Sequence, residues 1–128
     1  MRTIYTIGYS TTTPQELKKL VEDTDSYLVD TRLVPYSKQP IWRKDALKEL
    51  VGKDRYAWLG MWLGNLNYKN GGNIWIDDMQ TGLNILERGL KLKNVILLCG
   101  CKNVAKCHRL ILAEAAIEKF VGVEVKHL

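Results

Sequence analysis

The sequence predicts one α/β domain over residues 1–128, a three-layer, Rossmann-like fold with a mostly parallel sheet. Three observations carry that prediction. Short apolar runs alternate with stretches of helical periodicity, the order expected of parallel strands joined by crossover helices. One run, Val95-Ile96-Leu97-Leu98-Cys99, is apolar throughout, as suits a central strand covered on both faces. Finally, three runs end in polar, chemically capable residues: Ile4 to Ser10, Tyr27 to Arg32, and Val95 to Cys99 continuing to Cys107-His108-Arg109. In a parallel sheet such carboxyl ends face one crevice, where ligands bind.

The elements follow in order. Thr3 to Ile7 reads as the first strand, with Gly8 as the tight turn after it. Thr13-Pro14-Gln15-Glu16 starts a helix: Thr13 caps, Pro14 fits the first helical position, and Glu16 completes a capping box. Leu17, Leu20 and Val21 form its apolar face. Tyr27 to Asp30 is the second strand, and Val34 to Trp42 a loop broken by Pro35 and Pro40. A second helix over Lys44 to Val51 buries Ala46, Leu47, Leu50 and Val51, before a short strand from Tyr56 to Leu59. The Gly- and Asn-rich stretch from Gly60 to Asp78, interleaved with Trp62, Tyr68 and Trp75, reads as a covering loop. Asp77 or Asp78 caps a third helix carrying Met79, Leu83, Leu86 and Leu90. Strand Val95 to Cys99 follows. A last helix, about Ala105 to Phe120, turns Leu112, Ala113, Ala116 and Phe120 inward, and Val123 to Lys126 closes the sheet.

Composition narrows the function classes. An apolar fraction of 46% and a charged fraction of 26% are ordinary for a globular protein. No apolar run reaches the ~18 residues that cross a bilayer, so no membrane partner is expected. Met1-Arg2-Thr3-Ile4 enters a strand-like pattern directly, without the apolar core of a signal peptide. The expected location is cytoplasmic. The formal charge of +5 suits an anionic partner. Its densest part runs from Lys38 to Arg55 and also holds Asp45, Glu49 and Asp54, as on a solvated helix face, though a nucleic-acid footprint remains open.

The chemistry-bearing residues cluster at the predicted strand ends. Cys99, Cys101 and Cys107 are the three cysteines, too few and too close for a disulfide framework. Cys107, placed in the first turn of a helix beside Lys106 and Arg109, has the setting that favours a thiolate. Cys99 reads equally as packing and as function. His108 is a proton carrier near neutral pH, and Arg109 and Arg32 can fork onto a phosphate or carboxylate. Asp30 reads as a general base, as a group orienting His108, or as half of a salt bridge holding the loop. Ser10 can donate to an anion, and the Gly100-to-Lys106 loop amides can join it. No metal is expected: the spacing C-x-C-x5-C-H matches no common structural zinc pattern. There is no P-loop, no G-x-G-x-x-G and no G-x-S-x-G elbow, so no cofactor is expected.

These motifs resemble those of the family catalogued as domain of unknown function 488. Its members look like T-I-G-Y/H-S, then L-V-D-V-R with P-x-S, then L-L-C-x-E leading to C-H-R. The matches are Thr6 to Ser10, Leu28 to Arg32 with Pro35 and Ser37, and Leu97 to Cys99 with Cys107-His108-Arg109. Thr31 replaces the usual valine, and Cys101 stands where the family shows glutamate. The resemblance implies an α/β fold and names candidate site residues, but carries no activity. A fainter likeness to rhodanese domains fails on spacing, because Ala105, not arginine, lies six residues past Cys99.

The residues together predict a small enzyme or enzyme-like domain binding an anionic, phosphate-bearing small molecule or nucleotide. Arg32, Arg109, Ser10 and Gly8 would hold the anion, while Asp30, His108, Cys107 and Cys99 would carry the chemistry. The alternative is a nucleic-acid module that stacks bases on Trp42, Trp62, Tyr68 and Trp75.

Overall fold

In the computed structural model, residues 2–68, 73–100 and 107–128 are described. The chain runs β1 (Arg2–Gly8), α1 (Pro14–Asp23), β2 (Ser26–Asp30), α2 (Lys44–Val51), β3 (Tyr56–Trp58), α3 (Gly60–Leu63), α4 (Met79–Leu90), β4 (Asn94–Cys99), α5 (His108–Lys119) and β5 (Val123–His127). The five strands form one sheet in the order β3-β2-β4-β1-β5, and every pairing is parallel. This is a three-layer, Rossmann-like α/β fold.

Strand order and crossover handedness decide where the helices lie. From β1 to β2 and from β2 to β3 the chain steps one way along the sheet; from β3 to β4 and from β4 to β5 it steps back. Right-handed crossovers place the two pairs of connections on opposite faces. Leu17 and Val21 of α1 and Leu47 of α2 accordingly pack with Leu28, Ile96 and Leu98. On the other face Leu83, Leu86 and Leu90 of α4 and Leu112 and Ala116 of α5 pack with Ile4, Val29, Val95 and Leu97. The apolar run of β4 is buried because it is the middle strand and feeds both cores.

The helix starts are held by the residues that sequence reasoning picked. The Thr13 hydroxyl accepts the Glu16 amide at 3.1 Å, and Pro14 occupies the first helical position. The capping box is half formed, since the Glu16 carboxylate takes the Thr13 hydroxyl at 3.0 Å rather than its amide. Asp78, not Asp77, caps α4, accepting the Thr81 amide at 3.1 Å and the Thr81 hydroxyl at 2.7 Å.

Several expectations are corrected. Gly8 is no tight turn: it ends β1 in extended geometry (φ −97°), and a 3-10 turn over Tyr9–Thr11 does the turning. In α2 only Leu47 is buried, with Ala46, Leu50 and Val51 half-buried. The covering loop contains a short helix, α3, whose Leu63 is fully buried. A bridge joins Asn65 to Ile76; residues 69–72 lie outside the described part. A Cβ on Gly60 would collide with the Arg32 carbonyl and the Trp58 indole, which is why the chain crosses there as glycine. Trp42 is 2% exposed and so offers no face for stacking, while Trp62 is half-buried against the core.

Candidate functional site

Topology brings the chemistry together. The connections leaving β1 and β2 run onto one face and the connection leaving β4 onto the other, so a crevice opens at the carboxyl end of β4. Register puts Gly8 opposite Cys99 and Asp30 opposite Leu98. The ends of β1, β2 and β4 thus share one rim.

Asp30, the last residue of β2, is fully buried. Its Oδ1 accepts the Arg32 amide at 3.2 Å and Arg32 Nε at 2.8 Å; Oδ2 accepts Arg32 Nη2 at 2.6 Å and the Tyr56 hydroxyl at 2.6 Å. Both oxygens are therefore committed. Of the three readings of Asp30 the salt bridge is the one the geometry displays, and Asp30 makes no hydrogen bond to His108. Burial works against the Arg32 cation, yet the hydrogen bonds and charge of Asp30 outweigh it and raise its pKa. Burial, then the Asp30 charge and hydrogen bond, pushes the Tyr56 phenol far above its usual range. The phenol stays a donor, and the carboxylate stays where it can hold Arg32.

Arg32 is thereby aimed. Its guanidinium lies 5.4 Å from the Tyr9 ring centroid, its carbonyl accepts the Trp58 indole at 2.7 Å, and its Nη1 is buried without a hydrogen-bond partner among the described residues. Arg109, in the first turn of α5, is 1% exposed, and its Nε and Nη1 also have no partner among the described residues. A buried cation with open donors costs free energy unless an anion satisfies them.

His108 begins α5 and is 7% exposed. Its Nε2 sits 2.9 Å from the Thr31 carbonyl oxygen, which can only accept, so Nε2 carries a hydrogen. In the neutral ring Nδ1 is then the acceptor, and it lies 3.7 Å from Cys107 Sγ. Thr31 is itself pinned, its amide and hydroxyl both donating to the Leu98 carbonyl, at 3.0 Å and 2.9 Å. The end of β2 therefore fixes the tautomer of a histidine from α5. Cys107 is the N-cap of α5 in extended geometry rather than a residue of its first turn. Its Sγ lies 2.7 Å from Cys99 Sγ, both residues 1% exposed.

Beside these groups is a pocket of about 240 Å³ lined by Tyr9, Arg32, Leu33, Val34, Tyr36, Asn65, Tyr68, Gly100 and His108. Ser10 is exposed and donates to the Gly100 carbonyl at 3.4 Å. A wider concavity of about 410 Å³ at the opposite end of the sheet is lined by Arg2, Glu87, Lys91 and apolar residues, with no cysteine or histidine. Sequence reasoning missed Tyr36, Asn65 and the Asp30 partner Tyr56. Tyr36 had a signal, lying inside the Pro35-Tyr36-Ser37 motif; Tyr56 had none, since only strand pairing sets it beside Asp30. Of the Gly100-to-Lys106 loop, whose amides are expected to help hold the anion, residues 101–106, Cys101 among them, lie outside the described part. Among the described residues no three His, Cys, Asp or Glu side chains gather to hold a metal. No helix among them is long and apolar enough to cross a membrane.

Fold and rim together define a parallel α/β protein with buried arginines, a histidine and two thiols at the carboxyl ends of its central strands. Residues 15–116 match the family described as Domain of unknown function DUF488, and the chain belongs to that family. No curated protein matches it. No solved structure matches it either.

Proposed function

We propose that the protein is a small enzyme-like domain that binds a phosphate-bearing, nucleotide-like ligand at this rim. The observation that supports the reading is the set of buried guanidinium nitrogens without partners among the described residues, Nη1 of Arg32 and Nε and Nη1 of Arg109. Arg32 also lines a pocket whose other lining residues include Tyr9, Tyr36 and Tyr68. Cation and aromatic walls side by side suit a charged group attached to a flat ring. The Arg32 guanidinium, held by Asp30, would take the phosphate and Arg109 would serve as its second cation. His108 is the proton carrier, and Cys107, beside its Nδ1, is the nucleophile for any covalent step.

Calorimetric titration tests this with inorganic phosphate and then adenosine monophosphate. Saturable binding is expected for both, the nucleotide about tenfold tighter or better through stacking of the ring. Arg32→Met should weaken both by about tenfold or more, the loss of a charge-assisted contact. No saturable binding of either up to about 10 mM would refute the reading. The rival is a nucleic-acid surface, for which Tyr68 and Trp75 remain exposed at 48% and 62%. It predicts oligonucleotide binding that falls steeply with salt and is indifferent to Arg32.

A further inference from the structure

The two buried thiols have a chemistry of their own. Cys99 ends β4 and Cys107 caps α5, so the fold brings together two residues that leave the sheet and re-enter the helical layer. Their sulfurs are 2.7 Å apart, a separation that a small side-chain adjustment converts to a bond. Cys107 has a base beside it. His108 Nδ1 lies 3.7 Å from Cys107 Sγ, its tautomer set by the Thr31 carbonyl. Cys107 also sits at the amino end of a helix of 12 residues, where the dipole favours a thiolate. Gly100 and His108, each next in the chain to one of the cysteines, line the pocket. The pocket wall thus includes the chain neighbour of each thiol, and the cysteines themselves are 1% exposed.

We propose that Cys99 and Cys107 form a redox-active dithiol that reduces small hydroperoxides, with Cys107 attacking and Cys99 resolving. His108 Nδ1 takes the Cys107 proton. The sulfur electron pair attacks the terminal peroxide oxygen, forming an S–O bond as the O–O bond breaks. The departing alkoxide, or hydroxide when the reagent is hydrogen peroxide, takes the proton back from His108. Cys99 Sγ then attacks the sulfenic sulfur; the S–S bond forms, the S–O bond breaks, and hydroxide leaves with the Cys99 proton as water. Two thiols give up two electrons and two protons, and one peroxide becomes an alcohol and a water. An external thiol reductant restores the pair. The bridge would tie the end of β4 to the start of α5.

The test treats the full chain with hydrogen peroxide and follows intact mass and mapped peptides. The expected product is an intramolecular bridge, formed by Cys101→Ser as by the parent and reversed by a thiol reductant. Cys99→Ala should instead accumulate a Cys107 sulfenic acid that a cyclic 1,3-diketone traps. His108→Gln should slow bridging about tenfold or more at pH 7, with the deficit shrinking at high pH, because an ordinary thiol is only about 3% ionised at pH 7. Circular dichroism confirms that each variant is folded, and Cys99→Ser replaces any Cys99→Ala that is not. A bridge that disappears in Cys101→Ser, or a rate like that of free cysteine and unchanged by His108→Gln, overturns the proposal. Bridging needs no phosphate ligand, so its absence leaves the ligand reading standing, and failure to bind phosphate leaves the bridge.

Discussion

Asp30→Asn removes the charge on which the rim is built, and the consequences can be worked from the contacts. The carboxylate is fully buried and receives four hydrogen bonds, three from Arg32 and one from Tyr56. Asparagine keeps one acceptor and places an NH2 group where the other oxygen was. In either orientation the Arg32 fork is broken, and with the NH2 group at the Oδ2 position the Tyr56 hydroxyl faces a donor as well. Arg32, 8% exposed at its side chain, is then a buried cation with no counter-charge. Removing one partner of such a pair costs about 3–5 kcal/mol, which for a chain of 128 residues lowers the melting temperature by roughly 10–20 °C. Urea unfolding measures the loss, with an unchanged slope showing that the unfolded state is the same. Tyr56→Phe alone should cost about 1.5–3 kcal/mol, one hydrogen bond to a charged acceptor, and much less in the Asp30→Asn background because its acceptor is already gone. A loss below about 1 kcal/mol for Asp30→Asn, or equal Tyr56→Phe costs in both backgrounds, would refute the account of Asp30 as the group that holds Arg32.

Arg109→Met should stabilise the ligand-free protein by roughly 1–4 kcal/mol, since an apolar side chain replaces a buried cation with two open donors; a destabilised variant would show that protein groups already satisfy it. The Tyr56 phenol has a folded-state pKa raised above that of the unfolded chain. Its stabilising contribution is thus complete below about pH 10 and lost as pH rises through the folded value. Tyr56→Phe should consequently remove none of the phenolate absorbance that appears below about pH 11, and loss of one tyrosine's share would contradict the burial argument. Thr13→Ala should cost about 1 kcal/mol in urea unfolding, the usual worth of an N-cap, and Thr13→Ser should recover most of it. Gly60→Ala should destabilise by more than about 1 kcal/mol, because the added carbon meets backbone at Arg32, and should disturb the nearby pocket more than Gly52→Ala, where space is open.

What could be read from the sequence divides along a physical line. Elements whose ends are set by local chemistry came through: Thr13 and Asp78 fix helix starts by bonds to residues three positions on, and the apolar run of β4 declares a strand covered on both faces. The convergence of the three polar strand ends was also legible, because a parallel sheet puts all its carboxyl ends at one rim whatever the strand order. Partners set by tertiary contact were not legible. Nothing local tells Tyr56 from any other aromatic strand residue, yet it holds Asp30 across a strand pair. Residue type alone leaves Asp30 open between general base, orienter of His108 and salt-bridge partner, because it does not show how many donors surround a carboxylate. The Gly60 to Asp78 segment was misread for a similar reason: glycines that signal a loop sit there partly because a helix crosses the Arg32 backbone too closely for any side chain.

The same rim also explains why the protein tolerates groups that a well-packed core would reject. The two faces of the sheet are filled with aliphatic side chains, and that burial supplies a large favourable term. Buried charge with open donors is placed at the edge of those cores, at the end of β2 and the start of α5. Asp30 compensates Arg32 only in part, leaving Nη1 open, and nothing in the described chain compensates Arg109. A sequence under selection for stability alone would replace Arg109 by a hydrophobe and gain from it. Its full burial, beside a histidine whose tautomer is fixed from a neighbouring strand, is a cost that the proposed anion would offset.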